Sequence, residues 1–128
     1  MEAAVAESDR LKRDLAAILR EQARIDRFGL MAACYCCADT TLLHLNRLAE
    51  RDICGCCTAL VQGKRTILEA HHLAGHGEGP VVFVCRNCHL ELTELQRGWP
   101  EGLTFEARLE RGLANLAEVR RRRTYPGV

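Results

Sequence analysis

Cysteine and histidine residues are concentrated between positions 54 and 89 of this 128-residue chain. Two Cys-x-x-Cys pairs suit a closed, tetrahedral structural zinc site, because each pair can direct two sulfurs at one ion. Neutral imidazoles can bind a further divalent cation or accept a proton near pH 7. The stretch therefore predicts a structural zinc site and, beside it, a histidine site that is partly open for chemistry. The predicted zinc ligands are Cys54, Cys57, Cys85 and Cys88, and the histidines are His71, His72 and His89.

The remaining four of the eight cysteines are not assigned to the predicted zinc site. Cys34 and Cys37 share the Cys-x-x-Cys spacing, but they fall on the apolar stripe of a predicted helix. We therefore expect them to be buried core residues rather than ligands of a second zinc. Cys36 has no clear partner, and Cys56 does not keep the two-residue spacing, so neither is assigned as a ligand. The abundance of helix formers and the lack of a secretory leader disfavour a disulfide framework.

The elements predicted around these residues follow the order helix, helix, β-hairpin, strand, helix, helix. Apolar residues recur at helical spacing from about 3 to 28 and from 30 to 51, which predicts a helical hairpin interrupted at Gly29. A second hairpin is predicted from strands at 58–61 and 65–70 joined by a turn at 62–64. The strand at 81–84 leads to Cys85, a helix follows over 88–97, and Thr104 is the expected N-cap of the last helix.

The predicted fold class is α+β, with three parts. Residues 1–51 form a helical hairpin extension, residues 52–99 a small zinc-binding core, and residues 100–128 an amphipathic helix with a basic tail. No apolar run approaches the ~20 residues that span a bilayer. Acidic residues throughout the first thirty positions argue against a targeting peptide. We therefore expect a cytoplasmic protein with no membrane partner.

The net charge is only +1, from 18 basic and 17 acidic residues, whereas many nucleic-acid binders are strongly basic. Basic residues outnumber acidic ones only after position 97. Arginines at a helix end can contact phosphates and make binding salt-dependent, or they can be a solvated terminus that complements the helix dipole. The candidate phosphate contacts are Lys64, Arg65, Arg86, Arg97, Arg120, Arg121, Arg122 and Arg123.

Three motifs together resemble the HNH endonuclease family, of the zinc-stapled ββα-metal type found in phages and mobile elements. They are Cys54-x-x-Cys57, the run LEAHHLAG at residues 68–75, and Val84-Cys85-x-x-Cys88-His89. The resemblance covers about residues 52–99. It implies a metal-dependent enzyme that hydrolyses DNA phosphodiester bonds. By position, His71 and His89 would hold a divalent cation (Mg, Mn, Ni or Zn) on the phosphate, and His72 would activate water.

Two positions differ from the family pattern and leave other functions open. Pro80 stands where an Asn or His usually orients the base, and Thr93 stands where many relatives have a further metal-binding histidine. A second hypothesis is therefore a catalytically inactive zinc module that binds nucleic acid or a protein partner. A third is an interaction protein whose N-terminal helices are the functional surface. Because one such site cuts one strand, these helices are also candidates for a homodimer surface, unless they pack on the zinc module.

Overall fold

The computed structural model describes residues 2–64 and 67–122. Helices and short two-stranded antiparallel sheets alternate along this part of the chain, so the predicted α+β class is confirmed. The helices are α1 (Glu2–Phe28), α2 (Gly55–Val61), α3 (Arg86–Arg97) and α4 (Phe105–Arg122), with a 3-10 helix at Leu42–His44. The strands are β1 (Leu45–Leu48), β2 (Arg51–Cys54), β3 (Leu68–His72) and β4 (Val81–Cys85).

The first predicted helix is confirmed, but the second half of the predicted helical hairpin is wrong. Helix α1 ends at Phe28, and the next residue, Gly29, has a φ of 86°, which favours a residue without a Cβ atom. A loop, the 3-10 helix and the β1–β2 hairpin replace the expected helix over 30–51. Asp39 explains part of the difference, because its side chain accepts a hydrogen bond from the backbone N–H of Thr41 at 2.9 Å and stabilises a turn instead.

In the second predicted hairpin the first strand is wrong, and the second strand pairs with a different partner. Residues expected as a strand at 58–61 belong to helix α2, whose N-cap is Cys54; the Cys54 sulfur accepts a hydrogen bond from the Cys57 N–H. The predicted turn at 62–64 follows the end of this helix. Strand β3 instead pairs with β4, so that Leu68 lies opposite Cys85 and His72 opposite Val81. Residues 65 and 66 lie outside the described part of the chain.

Strands β3 and β4 and helix α3 form a continuous ββα unit. Cys85 ends β4 and caps α3, since its sulfur accepts a hydrogen bond from the Cys88 N–H at 3.4 Å. The predicted strand at 81–84 and helix over 88–97 are thus confirmed. Helix α4, which begins after Thr104 as predicted, packs against α3. The shared core consists of Leu73, Val84, Leu92, Leu116 and Val119.

A second hydrophobic core lies in the N-terminal half of the described chain. It contains Cys34, Leu42, Leu45, Ile53 and Cys54, and the C-terminal residues Ile25 and Phe28 of α1 pack against it. The 3-10 helix and α2 both contact α3, which connects the two cores. Among the described helices, none combines the length and apolar character needed to cross a membrane.

Candidate metal centres

Four cysteine sulfurs come together beside the β1–β2 hairpin. The Sγ atoms of Cys34, Cys37, Cys54 and Cys57 all lie within 4.8 Å of one another. The Cys37 and Cys54 sulfurs are 3.8 Å apart. Sulfurs bound tetrahedrally to zinc at ~2.3 Å are separated by about 3.8 Å, so this spacing fits a zinc ion with little movement. The group can therefore hold a metal ion such as a structural zinc.

This group includes only half of the predicted zinc ligands. The structure brings Cys54 and Cys57 together with Cys34 and Cys37, and it does not bring Cys85 and Cys88 into the same group. Cys34 is also a buried core residue, as expected, whereas Cys37 is exposed. The matching Cys-x-x-Cys spacing of residues 34–37 was a usable signal. The erroneous helix over 30–51 obscured it, because the β1–β2 hairpin is what returns the chain to that pair.

Backbone hydrogen bonds prepare one sulfur of this four-cysteine group to carry charge. Burial raises the pKa of the Cys34 thiol, but N–H groups of Cys54, Cys37 and Cys36 outweigh that effect and bring the pKa to about 6. The Cys54 N–H lies 3.3 Å from the Cys34 sulfur. Burial raises the pKa of Cys37 and of Cys57. A bound dication would reverse this by displacing the thiol protons.

A buried polar network connects the four-cysteine group to helix α3. His44 is 1% exposed; its Nδ1 lies 2.6 Å from an Asp39 carboxylate oxygen and its Nε2 lies 3.4 Å from Glu91. The Asn87 side chain donates to Asp39 at 3.4 Å and accepts from the backbone N–H of Cys56 at 3.1 Å. The position of α3 therefore depends on the loop that carries Cys37.

Two of the three predicted histidines meet between β3 and α3. The ring centroids of His71 and His89 are 5.2 Å apart, and the rings meet edge to face. His89 Nδ1 lies 2.9 Å from the Glu69 carboxylate, an arrangement that orients metal-binding histidines and leaves Nε2 for the ion. Burial, with smaller contributions from His89 and His72, lowers the pKa of His71 to about 4. His71 is therefore neutral near pH 7, as a metal ligand must be.

Gln96 is a site residue that the sequence did not predict. Its amide nitrogen lies 3.0 Å from His71 Nε2 and donates to the backbone oxygen of His72 at 3.1 Å. The amide nitrogen can only donate, so a neutral His71 accepts this hydrogen bond at Nε2 and carries its proton on Nδ1. His71 can therefore bind a cation only when Gln96 releases Nε2. Helical spacing was the available signal, because Gln96 lies two turns after His89 on the same helix.

His72 stands apart from the pair formed by His71 and His89. Side chains alternate along a strand, so His72 lies on the opposite face of β3 from Glu69 and His71. Within the described residues, the four cysteines are the only group of three or more potential ligand atoms that meet within 4.8 Å. A general base does not need to bind the cation, so this separation is compatible with the predicted role of His72.

Four of the eight predicted phosphate contacts already pair with carboxylates. Arg86 lies 3.8 Å from Glu69, and Arg97 lies 3.3 Å from Glu94. Arg121 and Arg122 both pair with Glu118. Lys64 and Arg120 are exposed, while Arg65 and Arg123 lie outside the described residues. Such pairing reduces the local positive potential and weakens the prediction that these residues contact phosphates.

Comparison with known proteins yields no relative for this chain. No protein-family model, no curated protein and no solved structure matches it. What the chain does is therefore inferred from its own residues.

Proposed function

We propose that the β3–β4–α3 unit is the core of a metal-dependent endonuclease of the HNH type, which hydrolyses DNA phosphodiester bonds. The observation that carries this proposal is the meeting of the His71 and His89 imidazoles, 5.2 Å apart between ring centroids, with Glu69 behind His89. Paired imidazoles with a supporting carboxylate are a common ligand arrangement for a catalytic divalent cation.

Each histidine has a distinct role in the proposed reaction. His89, through Nε2, and His71, once Gln96 no longer donates to its Nε2, would hold the cation, which can be Mg, Mn, Ni or Zn. A cation bound there would offset charge on the scissile phosphate and on the leaving oxygen. His72, at the end of β3, accepts a proton from the attacking water.

The four-cysteine group has a structural role in this proposal. A zinc ion there would hold the loop after α1 against the β1–β2 hairpin and the start of α2. The network of Asp39, His44 and Glu91 would transmit that constraint to α3, which carries His89. We therefore assign zinc at the cysteines to folding and a second cation at the histidines to chemistry.

A catalytically inactive zinc module that binds nucleic acid or a protein partner is the second candidate. Two observations favour it: the Gln96 amide engages His71 Nε2, and Pro80 offers no side-chain hydrogen bond near His72. In this case the histidine site would not catalyse phosphodiester hydrolysis, whereas the four-cysteine group would still bind zinc.

Nicking of supercoiled plasmid tests the proposal. Wild-type protein should nick the plasmid with at least one of Mg, Mn, Ni, Co or Zn, and a chelator should prevent it. Because a general base typically contributes a factor of ~10² to 10⁴, His72→Ala should reduce the rate at least about 100-fold. His89→Ala should abolish metal-dependent nicking.

The matched control is His76→Asn. His76 is exposed on the neighbouring loop with a φ of 57°, a conformation that asparagine tolerates, so this variant should nick as the wild type does. Equal nicking by wild type and His72→Ala would refute the assignment of the base. Salt-dependent DNA retention without nicking would favour the inactive module.

A further inference from the structure

We propose that Gln96 is a gate on the cation site: its amide closes the site in the free protein, and an ion binds His71 and His89 together only after the Gln96 side chain moves into the neighbouring cavity. This inference rests on the cation site of the proposed function and adds how that site is controlled. Gln96 Nε2 lies 3.0 Å from His71 Nε2 and 3.1 Å from the backbone oxygen of His72. Both contacts come from one amide group, so they break together when the side chain turns.

The His72 carbonyl determines which end of the Gln96 amide faces His71. A carbonyl oxygen only accepts hydrogen bonds, so the amide atom beside it must be the NH₂ nitrogen. The same nitrogen directs its second hydrogen at His71 Nε2, which accepts it with the ring lone pair. A metal ion binds a neutral imidazole through such a lone pair. The hydrogen bond and the ion therefore compete for the same electrons of His71.

The burial of His71 makes the closed state the stable one when no ion is bound. The residue is 4% exposed, so water has little access to the acceptor nitrogen. A buried acceptor left without a donor destabilises a protein, and Gln96 removes that cost by donating to it. An ion that displaces Gln96 supplies Nε2 with a different partner. The gate is therefore needed only in the free protein.

A cavity beside Gln96 provides the space for the open state. Its volume is about 560 Å³, and its walls include Gly75, Thr93, Gln96 and Trp99. A water molecule occupies ~30 Å³ in the liquid, so the cavity has room for the side-chain amide and for water that would hydrate it. Gln96 is the next-to-last residue of α3, and opening requires only a change of its side-chain rotamer. The helix that carries His89 can therefore stay in place while the gate opens.

Such a gate has a characteristic effect on affinity. When only the open fraction of the molecules can bind, every apparent dissociation constant is raised by the same factor, whichever ion is used. One hydrogen bond changes an equilibrium by a factor of about 2 to 10, so a state closed by two of them should weaken binding at least about fivefold. Removal of the amide should therefore tighten the binding of different ions to the same extent.

Titration calorimetry of the zinc-loaded protein with Ni and with Co, which bind nitrogen ligands more strongly than Mn does, tests the gate. Gln96→Leu should lower both dissociation constants at least about fivefold and by equal factors. Gln96→Met keeps the length of the side chain and should give the same result if leucine disturbs packing. Thr93→Val is the matched control, because it alters the same cavity wall on the same helix and should bind as the wild type does. Unchanged affinity in both Gln96 variants would overturn the proposal, and so would weaker binding, which would make Gln96 a ligand.

Two further measurements separate the gate from the site that it controls. His89→Ala should remove the Ni and Co binding from the wild type and from Gln96→Leu alike. Persistence of that binding would refute the cation site and with it the proposed function, whereas unchanged affinity in the Gln96 variants refutes only the gate. In metal-free protein, nitrogen-15 spectra of the histidine rings should show the His71 proton on Nδ1 in the wild type and a mixture of both tautomers in Gln96→Leu. The same tautomer in both proteins would overturn the closed state, whether or not an ion binds.

Discussion

Replacing Cys37 should remove zinc from the four-cysteine group with little other damage. Cys37 is exposed, so truncating it to alanine leaves little of the first core unpacked. Cys34, by contrast, is 3% exposed, and its replacement would combine loss of a ligand with a packing defect. Cys37→Ala therefore isolates the contribution of the metal. Cys36→Ala is the matched control, because Cys36 is an exposed neighbour outside the group.

The unfolding free energy that the protein should lose when Cys37→Ala removes the zinc can be estimated by mass action. A ligand present at about a thousand times its dissociation constant stabilises the native state by ~4 kcal/mol. For a chain of this length, each kcal/mol corresponds to a change in melting temperature of about 4 °C. Cys37→Ala should therefore lower the melting temperature of the zinc-loaded protein by about 15 °C, whereas Cys36→Ala should change it by no more than about 3 °C.

Zinc content after dialysis and thermal melts on the same samples provide the assay. Wild type, Cys36→Ala and Cys88→Ala should keep the zinc bound by the four-cysteine group, and Cys37→Ala should lose it. Adding a chelator should bring the melting temperature of the wild type to that of Cys37→Ala. The opposite pattern, in which Cys88→Ala loses zinc and Cys37→Ala keeps it, would refute the role of Cys34 and Cys37. It would favour the ligand set predicted from sequence.

Two further predictions concern the ββα unit and its contact with α4. Gly112→Ala should destabilise the protein by ~2 kcal/mol or more in urea unfolding, because a Cβ atom there would collide with the Leu73 carbonyl. A change below about 0.5 kcal/mol would contradict this close approach. His71 should make stability fall with acid: burial lowers its folded pKa from 6.5 to about 4, so the unfolded state binds the proton more readily. The loss begins as pH falls below 6.5, is complete near pH 4 and amounts to roughly 3 kcal/mol. His71→Gln should flatten that part of the curve of unfolding free energy against pH, and an unchanged slope would count against the buried neutral imidazole.

Local signals were sufficient where an element depends mainly on its own residues. Apolar spacing predicted α1, the β-branched run predicted β4, and Thr104 marked the start of α4. The Thr104 hydroxyl indeed accepts a hydrogen bond from the Ala107 N–H at 3.2 Å. The same signals failed over 30–61. A few apolar residues at spacings of three and four also fit the alternating faces of a hairpin, and Asp39 favours a turn.

The sequence by itself determined which chemistry is available: three Cys-x-x-Cys pairs, an adjacent pair of histidines and a further histidine after the last cysteine. Only the tertiary structure decided which of these residues meet. Every Cys-x-x-Cys pair offers two sulfurs at the same separation, so spacing cannot choose between two possible partner pairs. The β1–β2 hairpin makes that choice by placing Cys54 beside Cys34 and Cys37, while the pairing of β3 with β4 brings His71 to His89. Long-range strand pairing sets both distances, and no local pattern encodes it.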